Sequence, residues 1–409
     1  MNSSPEQIRA LLPDGGPIET ALERATPAVR DVLDRVLAGG EIDPGEIPAL
    51  LRIEGDDLRA MIAAADHVRR EDVGDDVTYV INRNINFTNI CFVNCQFCAF
   101  KRQRWESDAY DHDMDTLLGK VGEAVERGAT EVCMQGGINP QMGAFHYRDV
   151  LSAIKKAFPE IHMHAFSPME ILYGSRRTNM SFEEYLTMLR DAGLGSLPGT
   201  AAEILDDEVR EILSHKKVDV ETWIDIITTA HRVGIPTTST IMYGHVESLD
   251  HIAAHLGLLR RIQRETGGFT EFVPLRFIYE NTILYQKGLV KPLPQGESDL
   301  RMYAACRLFF RGDIDNLQTS WVKLGHDLAA ASLAAGVNDF GGTLMEESIS
   351  REAGADAGEY TTVEEIEALI RSMGRTPRQR TTLYRDLGAT APTPTKQSNP
   401  TDVGSTLGA

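Results

Sequence analysis

The stretch 84–100, NINFTNICFVNCQFCAF, contains three of the five cysteines in the chain. Cys91, Cys95 and Cys98 follow the pattern C-x3-C-x2-C within eight residues. Each iron of a 4Fe-4S cluster is completed by one cysteine sulfur, so three thiolates hold three irons and leave the fourth without a protein ligand. The spacing therefore predicts a 4Fe-4S cluster with one iron open to a small molecule.

A structural zinc site is the main alternative for these cysteines. Such a site needs four ligands, commonly arranged as two pairs. Cys133 and Cys306 each stand alone, and no histidine follows Cys98 at ligand spacing. A disulfide framework is disfavoured by the odd cysteine count and by the lack of a secretory segment. The sequence favours the cluster over both alternatives.

The composition predicts a large globular protein of the cytoplasm. The chain has 409 residues, of which 42% are hydrophobic, so it can bury a sizeable core. Its formal net charge of -19 disfavours nucleic acid or an anionic membrane surface as a partner, because both would repel it. No apolar run reaches the roughly 18 residues that a membrane span needs.

Apolar periodicity divides the chain into four segments. Residues 1–76 show helical stripes and predict an N-terminal helical cap. Residues 77–347 alternate strand-like and helix-like runs, which is typical of a parallel sheet covered by helices. Residues 348–388 return to helix as a C-terminal extension. Residues 389–409, rich in Thr, Pro, Ser and Gly, have no apolar face and predict a disordered tail.

The alternating region predicts an α/β fold, specifically a (β/α)8 barrel of the TIM type with helical extensions at both ends. Eight strands over roughly 270 residues suit such a barrel, which typically takes about 250 residues. A doubly wound open sheet is the competing architecture. The candidate strands are Thr78–Asn84, Glu131–Gln135, Ile161–Phe166, Gly195–Gly199, Thr237–Met242, Glu271–Phe277, Leu317–Trp321 and Val337–Phe340.

Working residues of such a barrel lie where the strands run into the following loops. The cysteine loop follows the first predicted strand. His162 and His164 lie on one face of the third and could bind a metal, but no third ligand is near, so contacts to core or substrate are favoured. The polar and glycine candidates at the strand ends are Gln135, Gly136, Gly137, His164, Ser167, Glu170, Glu203, Tyr243 and His245.

The cysteine loop, with Phe97 before its last cysteine, resembles the signature of the radical S-adenosylmethionine superfamily. The resemblance implies that Cys91, Cys95 and Cys98 hold a 4Fe-4S cluster whose open iron binds S-adenosyl-L-methionine. It also implies that Phe97 lies near the adenine. Reductive cleavage of the cofactor would then give a 5'-deoxyadenosyl radical able to abstract unactivated hydrogens, with the electron supplied by a reductant protein.

Six further motifs resemble a narrower family, the transferases that form one radical half of deazaflavin (FO) synthase. That family cleaves L-tyrosine and joins the 4-hydroxybenzyl unit to 5-amino-6-(D-ribitylamino)uracil, a step of coenzyme F(420) biosynthesis. The motifs are NRNINFTN at 82–89, CMQGG at 133–137, HAFSPME at 164–170, PGTAAEIL at 198–205, MYGH at 242–245 and GGTLM at 341–345.

This narrower resemblance implies roles for the strand-end residues. Gln135, Gly136, Gly137 and Glu203 would contact S-adenosylmethionine. Tyr243, His164 and Glu170 are the candidates for catalytic contacts with the substrates. The chain has one three-cysteine loop, so the resemblance also implies a separate second radical half that consumes the product.

One segment departs from the family pattern, which leaves other functions open. The run FIYENTILY at 277–285 replaces the histidine-containing segment expected after the sixth strand. Two alternatives therefore remain. One is a radical enzyme of the futalosine route to menaquinone, and the other is a transferase paralogue with an altered substrate.

Overall fold

A computed structural model of the chain describes residues 4–13, 16–385 and 387. The predicted disordered tail, 389–409, lies outside this part. The described residues form an α/β structure whose regular strands are β1 Asp76–Val80, β2 Asn82–Asn86, β3 Glu131–Gln135, β4 His162–Ala165, β5 Thr237–Tyr243, β6 Phe269–Arg276, β7 Asp339–Gly342 and β8 Thr376–Gln379.

Helices precede, separate and follow these strands. The described α-helices are α1 Pro5–Arg9, α2 Ile18–Arg24, α3 Pro27–Leu37, α4 Ile47–Leu50, α5 Gly55–Val73, α6 Met114–Glu126, α7 His146–Ala157, α8 Pro168–Thr178, α9 Phe182–Asp191, α10 Asp207–Ser214, α11 Val220–Arg232, α12 Leu249–Thr266, α13 Ile283–Gln286, α14 Glu297–Phe309, α15 Trp321–Leu324, α16 His326–Ser332, α17 Ser348–Ala353 and α18 Val363–Ser372. None of them is long and apolar enough to cross a membrane.

The N-terminal helices pack as the periodicity predicts. In α5 the apolar stripe from Leu58 to Val68 is buried, and this helix packs against α14. The sequence also suggests one continuous helix over 18–37, and that expectation is wrong. Helix α2 ends at Arg24, Ala25 and Thr26 are extended, and α3 begins at Pro27. The extended backbone of Thr26 follows from Pro27, because a residue before proline avoids helical torsion angles.

All regular strand pairs are parallel. The pairings give the orders β8-β1-β7, β2-β3-β4 and β5-β6. Isolated parallel bridges join these sheets through residues 196–197 and 317–318. Regular pairing does not define a closed barrel within the described ranges. The predicted first strand, 78–84, divides at Ile81 into β1 and β2, which belong to different sheets.

Two predicted strands form only isolated bridges, two in each segment. The segment 195–199 keeps the bridges His164↔Ser196 and Leu197↔Thr237. Pro198 lacks the N–H that a longer ladder would use. The segment 317–321 keeps the bridges Phe272↔Leu317 and Gln318↔Asp339, and its last residue begins α15.

The C-terminal extension contains a strand as well as the expected helices. The apolar periodicity of residues 363–371 predicts a helix, and α18 forms there. Strand β8 follows it and pairs in parallel with β1, with Asp76 opposite Thr376. The sequence reading missed this strand, because its four residues, Thr-Pro-Arg-Gln, have no apolar alternation. The strand carries the chain to Arg380, which is buried.

Arg380 forms a bidentate salt bridge in the interior of the protein. Its Nε and Nη2 atoms donate to the two carboxylate oxygens of Asp339 at 2.5 and 3.0 Å, and Nη2 also lies 3.4 Å from Glu271. Thr78 Oγ1 donates to the same Asp339 at 2.5 Å. A two-point pair of this kind fixes orientation as well as distance. It ties β8 to β1, β6 and β7.

Replacing Arg380 by methionine should therefore destabilise the protein strongly. The substitution leaves Asp339 charged and buried, which costs about 3–5 kcal/mol for a broken buried pair. Arg378→Met, two residues earlier on the exposed side of β8, should cost about 1 kcal/mol or less, because its ion pair with Asp76 is exposed. Urea unfolding monitored by circular dichroism compares the stabilities of the two variants. Equal unfolding midpoints would contradict the stabilising role of the Arg380–Asp339 pair.

Candidate active site

Strand ends and the cysteine loop enclose one cavity of about 420 Å³. Inward-facing residues alternate along each strand, as strand geometry requires. The alternate residues that line it come from four strands: Asn82, Asn84 and Asn86 in β2, Glu131, Cys133 and Gln135 in β3, Thr238 and Thr240 in β5, and Glu271, Val273 and Leu275 in β6. Of the predicted site residues, the lining includes Cys91, Cys95, Phe97, Cys98, Gln135, Gly136, Gly137, His164, Ser167, Glu170 and Glu203.

The cysteine loop is held by backbone hydrogen bonds from several directions. Cys91 N–H donates to the carbonyl of Arg102 at 3.1 Å, and Gln96 N–H donates to the carbonyl of Leu213 at 2.8 Å. Between them, Asn94 adopts a left-handed backbone with φ of 63°, a conformation that asparagine tolerates better than most residues. The loop therefore has a defined shape that turns its three thiols toward the cavity.

Cys95 is a buried residue, whereas Cys91 and Cys98 are half-buried. Ser214 Oγ donates to its sulfur at 3.0 Å. Burial raises the pKa of the Cys95 thiol to about 12, while the positive charge of Lys217 acts in the opposite direction. A buried sulfur with a hydrogen-bond donor and a cation nearby fits a thiolate ligand once a metal supplies further positive charge.

The two glycines after β3 are explained by close packing against the cysteine loop. A Cβ on Gly137 would lie 2.3 Å from the carbonyl oxygen of Ile90, and a Cβ on Gly136 would lie 2.4 Å from the ring of Phe87. Gly137 N–H donates to the carbonyl of Thr88 at 2.8 Å. Any side chain here would push the loop away from the end of β3.

Glu203 is paired with a cation that the sequence reading missed. Lys217 Nζ lies 2.6 Å from Glu203 Oε1 and 4.9 Å from the centre of the Phe97 ring. Burial alone would lower the pKa of Lys217, but the charges of Glu203 and Cys95 outweigh it and the pKa is raised. Lys217 thus links Glu203 to the cysteine loop, which lies more than 100 residues earlier in the sequence.

Glu170 connects α8 to the glycine turn. Its Oε2 accepts hydrogen bonds from Ser167 N–H at 2.6 Å and Ser167 Oγ at 2.7 Å, and its Oε1 accepts one from Gly136 N–H at 3.2 Å. Burial raises the pKa of Glu170 to about 7, although these three donors act against the shift. The carboxyl group therefore caps α8 and fixes the turn beside the cysteine loop.

The two histidines of β4 share one serine. His162 Nε2 lies 2.8 Å and His164 Nδ1 2.7 Å from Ser196 Oγ. Burial lowers the pKa of His164, and the negative charge of Glu131 acts against that shift. Across the described part of the chain, no three Cys, His, Asp or Glu side chains converge on one metal-ion position. The role of these histidines in packing or substrate contact stays a prediction.

Tyr243 and His245 lie apart from the cavity. Thr238 and Thr240 face inward, so strand alternation turns Tyr243 toward the helices, where its hydroxyl donates to Asp299 of α14 at 2.7 Å. His245 Nε2 lies 2.9 Å from the carbonyl oxygen of Met242. The geometry therefore gives the predicted catalytic role of Tyr243 no support.

Several charged residues in the cavity wall have no motif to reveal them. They are Glu131, Glu271, Lys217, Lys323, Glu347 and Arg380. The inward register of β3 and β6 could have suggested the two strand glutamates. The others depend on how distant segments meet.

Two family models match most of the chain. The radical SAM superfamily model matches residues 85–259, and the model of the CofH/MqnC C-terminal region matches residues 266–392. With the cysteine loop in this cavity, these matches define the class of protein: the chain belongs to the radical S-adenosylmethionine superfamily.

Curated relatives narrow the family. The 5-amino-6-(D-ribitylamino)uracil--L-tyrosine 4-hydroxyphenyl transferase of Methanothermobacter thermautotrophicus is 50% identical over 338 residues, which are 83% of this chain and 92% of that protein. The FO synthase of Mycobacterium leprae is 50% identical over 364 residues, 88% of this chain but 42% of that protein. The chain belongs to the family of these 4-hydroxyphenyl transferases.

Solved structures share the fold at low identity. Methylornithine synthase (PylB) gives a TM-score of 0.67 at 18% identity and covers 85% of this chain and 97% of its own. The maturase HydG from Carboxydothermus hydrogenoformans gives a TM-score of 0.69 at 13% identity. The match covers 94% of this chain and 87% of the HydG chain. The spatial arrangement of the elements is therefore shared well beyond sequence similarity.

The raised pKa of Glu170 predicts a pH dependence of stability. Its ordinary pKa is 4.5, so unfolding between about pH 4.5 and 7 releases a proton that the folded carboxyl retains. The contribution of Glu170 to stability should therefore fall as pH rises through this window. The urea concentration at the unfolding midpoint should fall between pH 5 and pH 8, and it should fall further in the wild type than in Glu170→Gln.

Glu184 provides the matched control. It caps α9 with the same Ser-x-x-Glu hydrogen bonds, but it is exposed and its pKa is lowered, first by the Ser181 backbone N–H. Glu184→Gln should keep the wild-type pH dependence between pH 5 and 8. An unchanged pH dependence in Glu170→Gln would contradict the assignment of a raised pKa to Glu170.

Proposed function

We propose that this chain is a radical transferase that cleaves L-tyrosine and adds the 4-hydroxybenzyl group to 5-amino-6-(D-ribitylamino)uracil. This reaction is a step of deazaflavin (FO, coenzyme F(420)) biosynthesis. Family membership at 50% identity over 92% of a transferase of that name supports it. The structural observation that carries the proposal is the single cavity shared by the cysteine loop and the strand-end residues of β3 and β4.

We infer that the parallel strands form a barrel of the (β/α)8 type within residues 77–347. The bridged segments 196–197 and 317–318 would count as the fourth and seventh strands. Asn84 N–H donates to the carbonyl of Leu344 at 2.8 Å, which supports closure between β2 and the end of β7. Residues 1–76 would form the helical cap and 348–388 the C-terminal extension, to which β8 belongs.

Cys91, Cys95 and Cys98 would hold the 4Fe-4S cluster. Three thiols on one anchored loop provide a donor set for three irons and leave the fourth for S-adenosylmethionine. When bound, the cluster and S-adenosylmethionine supply the radical that abstracts hydrogen from the substrate. The hydrogen bond from Ser214 and the charge of Lys217 would stabilise Cys95 as a thiolate.

The wall beside this loop would receive S-adenosylmethionine. Phe97 presents an aromatic ring, and Gln135 presents a side chain whose Oε1 accepts a hydrogen bond from Thr200 Oγ1 at 2.9 Å. Gly136 and Gly137 would let the cofactor approach the backbone, and Lys217 would hold Glu203 in place. The close contacts of both glycines mean that any larger residue would displace the loop as well.

His164 and Glu170 would serve the substrates. His164 Nδ1 is occupied by Ser196 Oγ, which leaves Nε2 as the ring atom for a substrate. Glu170 has a pKa of about 7, so it can hold or release a proton near neutral pH. Because Glu170 also binds Gly136, it would position the cofactor turn at the same time.

A second protein would complete the pathway. The chain spans about 42% of the Mycobacterium leprae FO synthase. We infer that a separate radical enzyme consumes the product made here and that a reductant protein supplies the electron. Contact between the two enzymes would be transient or absent.

Binding of the 4Fe-4S cluster should require the three cysteines of the loop and should not require Cys133, the fourth cysteine that lines the cavity. Replacing Cys91, Cys95 or Cys98 by alanine removes one iron ligand, so iron content after anaerobic reconstitution and deoxyadenosine formation should both collapse. Cys133→Ala should keep a full cluster, although Cys133 lines the same cavity. A full cluster in any of the first three variants, or cluster loss in Cys133→Ala, would overturn the ligand assignment.

The reaction itself can be tested in one assay. The reduced, reconstituted protein is incubated with S-adenosylmethionine, L-tyrosine and 5-amino-6-(D-ribitylamino)uracil, and products are identified by mass spectrometry. We expect a 4-hydroxybenzyl adduct together with 5'-deoxyadenosine and methionine. A parallel incubation contains a futalosine in place of the other two substrates. Its turnover, with no adduct in the first assay, would favour the alternative that the shared CofH/MqnC C-terminal model leaves open.

A further inference from the structure

One part of the cavity wall contains none of the residues proposed above to bind the cluster or S-adenosylmethionine. It is formed by Lys323 in α15 and by Glu347 and Ser350 around the start of α17. These segments follow the bridged strand at 317–318 and strand β7. The cysteine loop, the glycine turn and Glu203 all follow earlier strands.

Lys323 is one of two cavity cations that form no ion pair within the described ranges; the other, Lys101, follows the cysteine loop and donates to Asn94 Oδ1. Arg380 is paired with Asp339, and Lys217 is paired with Glu203. The ammonium group of Lys323 lies 3.2 Å from Ser350 Oγ, and within the described ranges it forms no ion pair. An ammonium group has three donors. Lys323 can therefore accept a further anionic partner from a ligand.

Glu347 places a negative charge on the same wall. Its carboxylate oxygens accept Ser350 N–H at 2.9 and 3.2 Å, which fixes the side chain at the start of α17. Burial raises the pKa of Glu347, and the charge of Lys323 opposes that shift. Burial lowers the pKa of Lys323, and the charge of Glu347 opposes it. The two charges influence each other without forming a direct ion pair.

We propose that Lys323 and Glu347 bind the two charged ends of the amino-acid substrate, with Lys323 on the α-carboxylate and Glu347 on the α-amino group. A separated cation and anion on one wall match a zwitterion, and bound substrate charges would compensate the burial of both side chains. The inference rests on the proposed function, because it requires that the substrate be an amino acid.

Binding without turnover tests the subsite. The reconstituted protein without reductant is examined by equilibrium dialysis with L-tyrosine, tyramine, which lacks the carboxylate, and 3-(4-hydroxyphenyl)propanoate, which lacks the amino group. Lys323→Met should weaken L-tyrosine and the propanoate about tenfold or more, and leave tyramine unchanged. Glu347→Gln should weaken L-tyrosine and tyramine to a similar extent and leave the propanoate unchanged.

Two controls separate binding from folding. Lys323→Arg keeps the charge and should retain most of the affinity for L-tyrosine. Lys156→Met removes an exposed lysine of α7 outside the cavity and should behave as the wild type. If Lys323→Met binds L-tyrosine with the same affinity as the wild type, the proposed subsite is wrong. Equal loss of L-tyrosine, tyramine and S-adenosylmethionine binding in that variant also overturns it.

The proposed function fails in a distinguishable way. If the wild type binds L-tyrosine with the expected dependence on Lys323 but forms no 4-hydroxybenzyl adduct, the transfer reaction is wrong and the subsite stands. If the adduct forms while Lys323→Met binds L-tyrosine normally, the reaction stands and the subsite is wrong. If the wild type does not bind L-tyrosine, both are overturned.

Discussion

The burial of charge is the constraint on which the interior of this chain depends. An ion moved from water into protein costs several kcal/mol unless a partner compensates it. Here Arg380 is compensated by Asp339, and Lys217 by Glu203. Each pair joins segments that are far apart in sequence or lie on different elements. Compensation of charge therefore constrains the relative positions of the cavity walls, because separating either pair leaves a buried charge without its partner.

The same cavity shows how a reactive loop is kept in register with a strand end. The backbone of Gly137 touches the carbonyl of Ile90 so closely that no side chain fits between them. Glu170 holds the neighbouring Gly136 through its N–H. A helix cap, a glycine turn and the cysteine loop thus form one connected unit, and movement of one part displaces the others.

Sequence reasoning succeeded where the signal is local. The cysteine spacing, which predicts the superfamily whose model matches, and the apolar stripe of α5, which is buried, depend on residues a few positions apart. It was weaker where the position of a side chain depends on tertiary structure. Whether Tyr243 faces the cavity or the helices depends on the register of β5, since a shift of one residue exchanges the two faces. Lys217 gains its importance only because α10 brings it beside the cysteine loop.

Strand β8 has a consequence for the order in which the interior is completed. A ribosome makes the chain from its N-terminus, so Glu271 and Asp339 emerge well before Arg380. Until that arginine arrives, both carboxylates lack their main cationic partner and remain more favourable in water than in the interior. The final regular strand is therefore also the last structural component to be delivered, and the charged wall of the cavity becomes stable only after nearly all of the described chain has been synthesised.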